Sequence, residues 1–134
     1  FLQVAVGCFM IETLESFRQG IRDTTGKSEK MFTDFFKAEA THFPGFHVIS
    51  KQFYQNIRCG ILHQAETTNA WRILRNGELL DVKEKSINAK KFVTSLKKSL
   101  DCYIHQLTAD NFDTKLWRNA IIKLEDIIKN CKEN

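Results

Sequence analysis

The stretch Q52-F-Y-Q-N-I-R-C-G-I-L-H-Q-A-E66 decides how this chain folds. Together with Ile49, its apolar residues Phe53, Ile57 and Ile61 recur every four positions, which is the stripe of a helix lying against a core. Arg58 sits at the edge of that stripe. His63, five positions on, lies about 140° from Arg58 around an ideal helix. Both side chains are costly to bury unpaired, so their presence in a core-facing helix asks for a reason. Between them lies a second, mixed face of Gln55, Cys59, Leu62 and Glu66. Leu62 would stand partly exposed there in a monomer. If two copies packed on this face about a two-fold axis, two arginines and two histidines would line one cleft.

Reading outward, the spacing predicts a helix over residues 2–19, stopped by Gly20, then a polar loop through Gly26. A second helix is expected over 28–41, with Met31, Phe32, Phe35 and Phe36 inward, ended by Pro44-Gly45. The third, containing the opening stretch, should cover 48–66. Trp71, Ile73, Asn76-Gly77, Leu79 and Leu80 then read as a small β-hairpin with a type I′ turn. A fourth helix begins near Asn88 with Phe92, Leu96, Leu100, Tyr103 and Leu107 inward. A fifth begins near Phe112, with Asp110 or Asp113 as cap and Leu116, Ala120, Leu124, Ile127 and Cys131 inward. The expected fold class is all-α: a helical bundle of about five helices with a small inserted β-hairpin, forming a single domain over 1–134.

The bulk numbers fit that picture. A chain of 134 residues with 43% hydrophobic and 27% charged residues suits one globular domain. A net charge of +4 is compatible with a polyanionic partner. Cys8, Cys59, Cys102 and Cys131 form no C-x-x-C pair and no zinc spacing, which points to a reduced, cytoplasmic chain without a metal. The opening FLQVAVGCFMI is too short for the roughly 20 apolar residues of a membrane span, and lacks the basic lead-in of a leader. It starts in mid-pattern without methionine, so upstream residues are expected to have been removed or to belong to a larger protein.

Arginine grips phosphate through a planar fork, and imidazole can take and give a proton near neutral pH. The pair suits cleavage of RNA by its own 2′-hydroxyl, which needs no cofactor. With six arginines and four histidines, however, roughly 0.2 such pairs arise by chance in a chain of this size, so spacing alone is weak evidence. The context is stronger. R58-C-G-I-L-H63 on a central helix, preceded by R22-D-T-T-G-K-S28 and a Phe-rich helix and followed by a Trp-containing Asn-Gly segment, resembles the HEPN superfamily and a bacterial ribonuclease-like subgroup of it. The family hallmark is R-x4-6-H on such a helix, and the likeness in element order covers most of the chain.

The resemblance implies a metal-independent endoribonuclease, acting as a homodimer on RNA, in phage defence or a toxin–antitoxin system with an antitoxin or regulatory partner. Arg58 would orient phosphate and His63 would act as general acid and base. Gln55, Cys59, Glu66, Arg72, Lys90 and Lys97 are weaker candidates for touching substrate. The alternative is a non-catalytic HEPN-like dimerisation or RNA-binding module of a larger protein. Active members often carry Asn, Asp or His after the arginine, where this chain has Cys59. The lysine-rich strip Lys83, Lys85, Lys90, Lys91, Lys97 and Lys98 could guide an RNA backbone, although such strips are more often solvated faces. The 22–28 loop lacks the spacing of a P-loop but could border the cleft. Trp71 and Trp117 are expected in the core, and His42, His47 and His105 at caps or the surface.

Overall fold

In the computed structural model, which describes residues 1–132, the chain is mostly helical with a small three-stranded sheet ahead of its longest helix. The elements are α1 (Leu2–Gln19), α2 (Ser28–Ala38), α3 (Ser50–Phe53), a π-helical segment (Tyr54–Arg58), α4 (Cys59–Gln64), β1 (Arg72–Leu74), β2 (Leu80–Asp81), β3 (Ser86–Asn88), α5 (Ala89–Ala109) and α6 (Lys115–Lys132). No helix among the described residues is long and apolar enough to cross a membrane.

Helix α1 is the axis on which α2, α5 and α6 pack. Gly7 lets α5 approach, since a Cβ there would lie 2.7 Å from the ring of Phe92. Gly20 ends the helix in the left-handed conformation (φ 65°), as its position predicts. The core is dominated by phenylalanine. Phe32, Phe35, Phe36, Phe43, Phe46, Phe53 and Phe92 are all fully buried, and Phe36 lies 5.0 Å, centroid to centroid, from both Phe46 and Phe53. Offset and edge-on rings at such distances add to burial energy.

Several boundaries differ from the sequence reading. Helix α2 stops at Ala38 rather than near residue 41, because Glu39 turns inward to an ion pair and Phe43 and Phe46 reach the core from successive turns. The third helix is an unbroken rod over residues 50–64, but a π-helical turn interrupts its α geometry. Phe53 and Ile57 remain fully buried on either side of Tyr54.

The Asn-Gly hairpin is not formed. Only Gly77 has positive φ (95°), whereas a type I′ turn needs both central residues there. β3 lies between the other two strands, parallel to β1 and antiparallel to β2. The Asn88 side chain explains the preference: its amide donates to the Gly77 carbonyl at 3.0 Å while its oxygen caps α5 by accepting from the Lys91 N–H at 3.0 Å. That one residue ties the turn to the helix start.

Helix α6 begins at Lys115 rather than Phe112, and Asp110 and Asp113 do not cap it; the nearest side-chain acceptor is Thr114 Oγ1, 3.5 Å from the Trp117 N–H. Of its expected inner stripe only Ala120 is buried. Leu116 is half-buried, while Leu124, Ile127 and Cys131 are exposed. The helix rests mainly on α1, which can cover only a narrow strip of it. Trp71 is buried as expected. Trp117 is half-buried, its ring against Phe112 and its Nε1–H donating to the Leu107 carbonyl at 2.8 Å.

All four cysteines are free. Burial pushes the Cys8 thiol up to about 12, with the Arg58 charge pulling the other way. An alkylating reagent at pH 8 should therefore label exposed Cys102 and Cys131 first, half-buried Cys59 more slowly, and Cys8 only on unfolding. Mass spectrometry over a labelling time course checks this order; native-state labelling of Cys8 at the rate of Cys102 would contradict the burial.

Candidate functional site

Arg58 is the last residue of the π-helical segment and leads directly into α4. Its neighbour Ile57 is pinned in the core, so the guanidinium is carried out at the core's edge, toward α1. There it lies 5.2 Å from the centre of the Tyr54 ring, and Nη2 donates to Glu12 Oε2 at 3.1 Å. Side-chain exposures of 16% for Arg58 and 14% for Glu12 place the ion pair well inside the surface. The other Glu12 oxygen accepts from Thr24 Oγ1 at 2.9 Å and Ser28 Oγ at 2.5 Å. The R22-D-T-T-G-K-S28 loop thus borders the arginine, by bonding to the acid that holds it.

Burial alone would raise the Glu12 pKa, but the hydrogen bonds from Ser28, Thr24 and Arg58 outweigh it and hold the carboxyl below its usual range. Burial likewise disfavours the charged arginine, and the bond and charge of Glu12 reverse that, raising its pKa. The pair is locked in its charged form. Beside it opens a hollow of about 310 Å³ lined by Phe9, Thr13, Ser16, Thr24 and Lys123 together with Glu12 and Arg58. Lys123 is partly engaged, donating to the Arg22 carbonyl at 2.5 Å.

His63 is exposed near the end of α4. Arg58 and His63 do not meet within one chain: the arginine turns to α1 and the histidine to solvent. Leu62, between them, is half-buried, and Gln55 and Glu66 are exposed, while Cys59 is half-buried with its sulfur 4.0 Å from Arg58 Nη1. The face predicted between arginine and histidine is therefore open. The remaining candidates lie elsewhere. Arg72 is exposed and pairs with Glu84 at 3.3 Å, Lys97 pairs with Asp101 at 2.7 Å, and Lys90 lines a separate hollow beside α5. Among the described residues no group of three or more His, Cys, Asp or Glu is placed to hold a metal ion.

The end of α4 is held by backbone contacts. Ala65 adopts the left-handed conformation (φ 55°), and the chain doubles back so that the Thr68 N–H reaches the Asn56 carbonyl at 2.8 Å and Thr68 Oγ1 reaches Asn56 Oδ1 at 3.0 Å. Gly60 makes this possible: a Cβ there would lie 2.6 Å from the Glu66 carbonyl oxygen and 3.4 Å from Thr67 Cα. Ala would gain about 1 kcal/mol of helix propensity over Gly, but a clash with backbone costs about 1–3 kcal/mol and cannot be relieved by a rotamer change. Gly60→Ala should therefore destabilise the chain in urea titration and shift the 65–68 turn; a stabilised variant would show that the turn gives way freely.

Sequence reasoning missed Glu12. An acid in the apolar first helix was a visible oddity, but nothing local links it to a residue 46 positions away. It also missed a second buried polar cluster. Glu39 receives hydrogen bonds from Arg18 and, at 2.7 Å, from Ser99 Oγ, and meets His42 Nδ1 at 2.9 Å. His42 is thus an internal partner rather than a cap. Compared with family models, curated proteins and solved structures, the chain finds no match in any of the three.

Proposed function

We propose that this chain is a single HEPN-like helical-bundle domain that cleaves RNA without a metal, at a composite site formed by two copies. The supporting observation is the division of states along one short helix. Arg58 is held charged and oriented by Glu12, while five residues later His63 is exposed and unengaged. A base that must reach a substrate needs freedom, and a phosphate grip needs a fixed direction. The two-fold arrangement would bring His63 of one copy toward Arg58 of the other across the open face of Gln55, Leu62 and Glu66.

In the reaction, His63 takes the proton of the 2′-hydroxyl as the oxygen attacks the adjacent phosphorus. The P–O5′ bond breaks, the 5′-oxygen leaves with a proton returned by the His63 imidazolium, and the upstream product ends in a 2′,3′-cyclic phosphate. Arg58 offsets the charge that builds on the phosphate oxygens. Nη2 alone is engaged by Glu12, and a guanidinium has five N–H donors, so others remain for phosphate. Incubation with a mixed RNA ladder in excess chelator tests the reading. Fragments with 2′,3′-cyclic ends are expected, together with a dimer by light scattering.

A second reading has its own support. Glu12 neutralises Arg58 within the monomer, which suits an arginine whose work is structural, in a non-catalytic dimerisation or RNA-binding module. A stable dimer that leaves RNA intact would favour it.

A further inference from the structure

We infer that the hollow between the 75–79 turn and α5 is a binding site for the phosphodiester backbone of a single-stranded nucleic acid. This goes beyond the cleavage reading and does not depend on it. The hollow, of about 550 Å³, gathers Arg75 from the turn and Lys90, Lys91 and Lys98 from α5. The three lysines fall at i, i+1 and i+8, on neighbouring strips of one helix side. Among the described residues Arg75, Lys90 and Lys98 have no carboxylate within ion-pair distance, and Lys91 has one, Glu78 at 3.6 Å. The nearby Lys97, by contrast, is paired with Asp101 and lies outside the hollow.

Solvated lysines on a convex surface would be unremarkable. Here the cations converge on a concavity that buried Asn88 and Ser95 also line. Asn88 fixes both walls, bonding to the Gly77 carbonyl on one side and capping α5 on the other. The spacing of the cations is therefore built into the fold. Cations gathered around one concavity favour a multivalent anion, and phosphate is the anion that lysine and arginine share as a partner.

A second hollow, of about 620 Å³, adjoins the first and shares Arg75 and Lys90 as a common wall. Its surface includes Phe1, Ile73, Leu74 and Ala89. This hollow is as much polar as apolar, and the Phe1 ring with its aliphatic neighbours offers a face to an unstacked base beside the phosphate cradle, the pairing by which single strands are gripped without sequence readout. A small polyphosphate would fill only the basic half.

The test uses a fluorescein-labelled 2′-O-methyl RNA of roughly 12 nucleotides, within the usual site size, that lacks the 2′-hydroxyl and so cannot be cut. Anisotropy is measured against salt for the wild type, for Arg75→Ala/Lys90→Ala/Lys98→Ala, and for a charge-matched control, Lys37→Ala/Lys51→Ala/Lys115→Ala. All six side chains are exposed, and melting curves confirm folding. The hollow variant should bind about tenfold more weakly or worse, with the slope of log K against log salt reduced by about 2, near 0.7 per lost contact, while the control changes less than about twofold. Equal losses in both variants, or none in the hollow variant, would overturn the assignment. Tripolyphosphate is titrated separately; tighter binding of it than of the oligonucleotide at this hollow would make the ligand a small polyphosphate and reject the nucleic acid. Binding without cleavage leaves this site standing while the cleavage proposal falls, so the two failures are distinguishable.

Discussion

Replacing His63 by alanine should lower RNA cleavage by about two to four orders of magnitude while leaving the fold unchanged. The first half follows from its proposed role, since a positioned general base contributes on that scale. The second half follows from its place. His63 is exposed, and surface substitutions away from special features usually shift stability by no more than about 0.5 kcal/mol. A single-turnover rate in chelator, set beside a melting curve, reads both. Cleavage retained by His63→Ala would remove the histidine from the chemistry and with it the family assignment of the site. Arg58→Ala makes the contrast. It strands Glu12 in a largely buried position, so activity and stability should fall together, the latter by about 1–3 kcal/mol.

The largest loss of stability should come from Glu39→Ala, about 3–5 kcal/mol. Glu39 is 7% exposed, and its oxygens serve Arg18, His42 and Ser99 at once. Arg18 lies between the rings of Phe35 and Tyr103, 5.7 Å and 5.8 Å from their centres, with Glu15 at 3.6 Å as its other acid. Without Glu39 the buried cation keeps only Glu15 as an acid, and Ser99 Oγ loses its 2.7 Å acceptor. Against a total stability of about 5–15 kcal/mol the loss is large enough to see directly in urea titration.

The same residue sets a pH dependence. Burial pushes the Glu39 carboxyl up, but hydrogen bonds from Ser99, His42 and Arg18 prevail and hold its pKa below the usual range. A depressed acid contributes stability that is complete above the unfolded value of about 4.3 and is lost as pH falls through the folded one. Glu15 has the opposite sign: burial raises its pKa, so its contribution weakens as pH rises through that value. The gap between wild type and Glu39→Gln should therefore be full above the unfolded value of about 4.3 and shrink as pH falls below it toward the folded one. A gap independent of pH would show that the bonds of Glu39 do not depend on its charge.

What could be read from the sequence followed the range of the forces involved. Helix α1 and the start of α5 were legible almost to the residue, because hydrophobic period and a glycine stop are both local. The burial of Ile49, Phe53, Ile57 and Ile61 was legible for the same reason. The π turn beneath them was not, since residues 54–58 carry no composition that distinguishes it from α geometry. The Asn-Gly hairpin failed because local turn preference lost to Asn88, which draws the Gly77 carbonyl toward α5 instead. Glu12 with Arg58, and Arg18 with Glu39, were hidden because ion pairs between distant segments leave no periodic trace. The exposed half of α6 was misread because an apolar stripe says only that something could cover it.

The central position of α1 has a consequence for how the molecule comes to be folded. Its contacts reach residues about a hundred positions away: the Asn119 amide donates to the Arg18 carbonyl at a sequence separation of 101, and in the loop just after α1 the Arg22 carbonyl accepts from Lys123 across the same interval. During synthesis α1 emerges ahead of α5 and α6 and waits several seconds for them at about 5–20 residues per second. Through that interval the sides that α5 and α6 later cover carry apolar residues with nothing to pack on. Phe9 and Met10 stay exposed even in the finished structure. The chain thus combines long-range closure, which slows folding, with an early adhesive segment, which penalises delay. Its yield in a cell should depend on chaperone supply and growth temperature more steeply than its final stability would suggest.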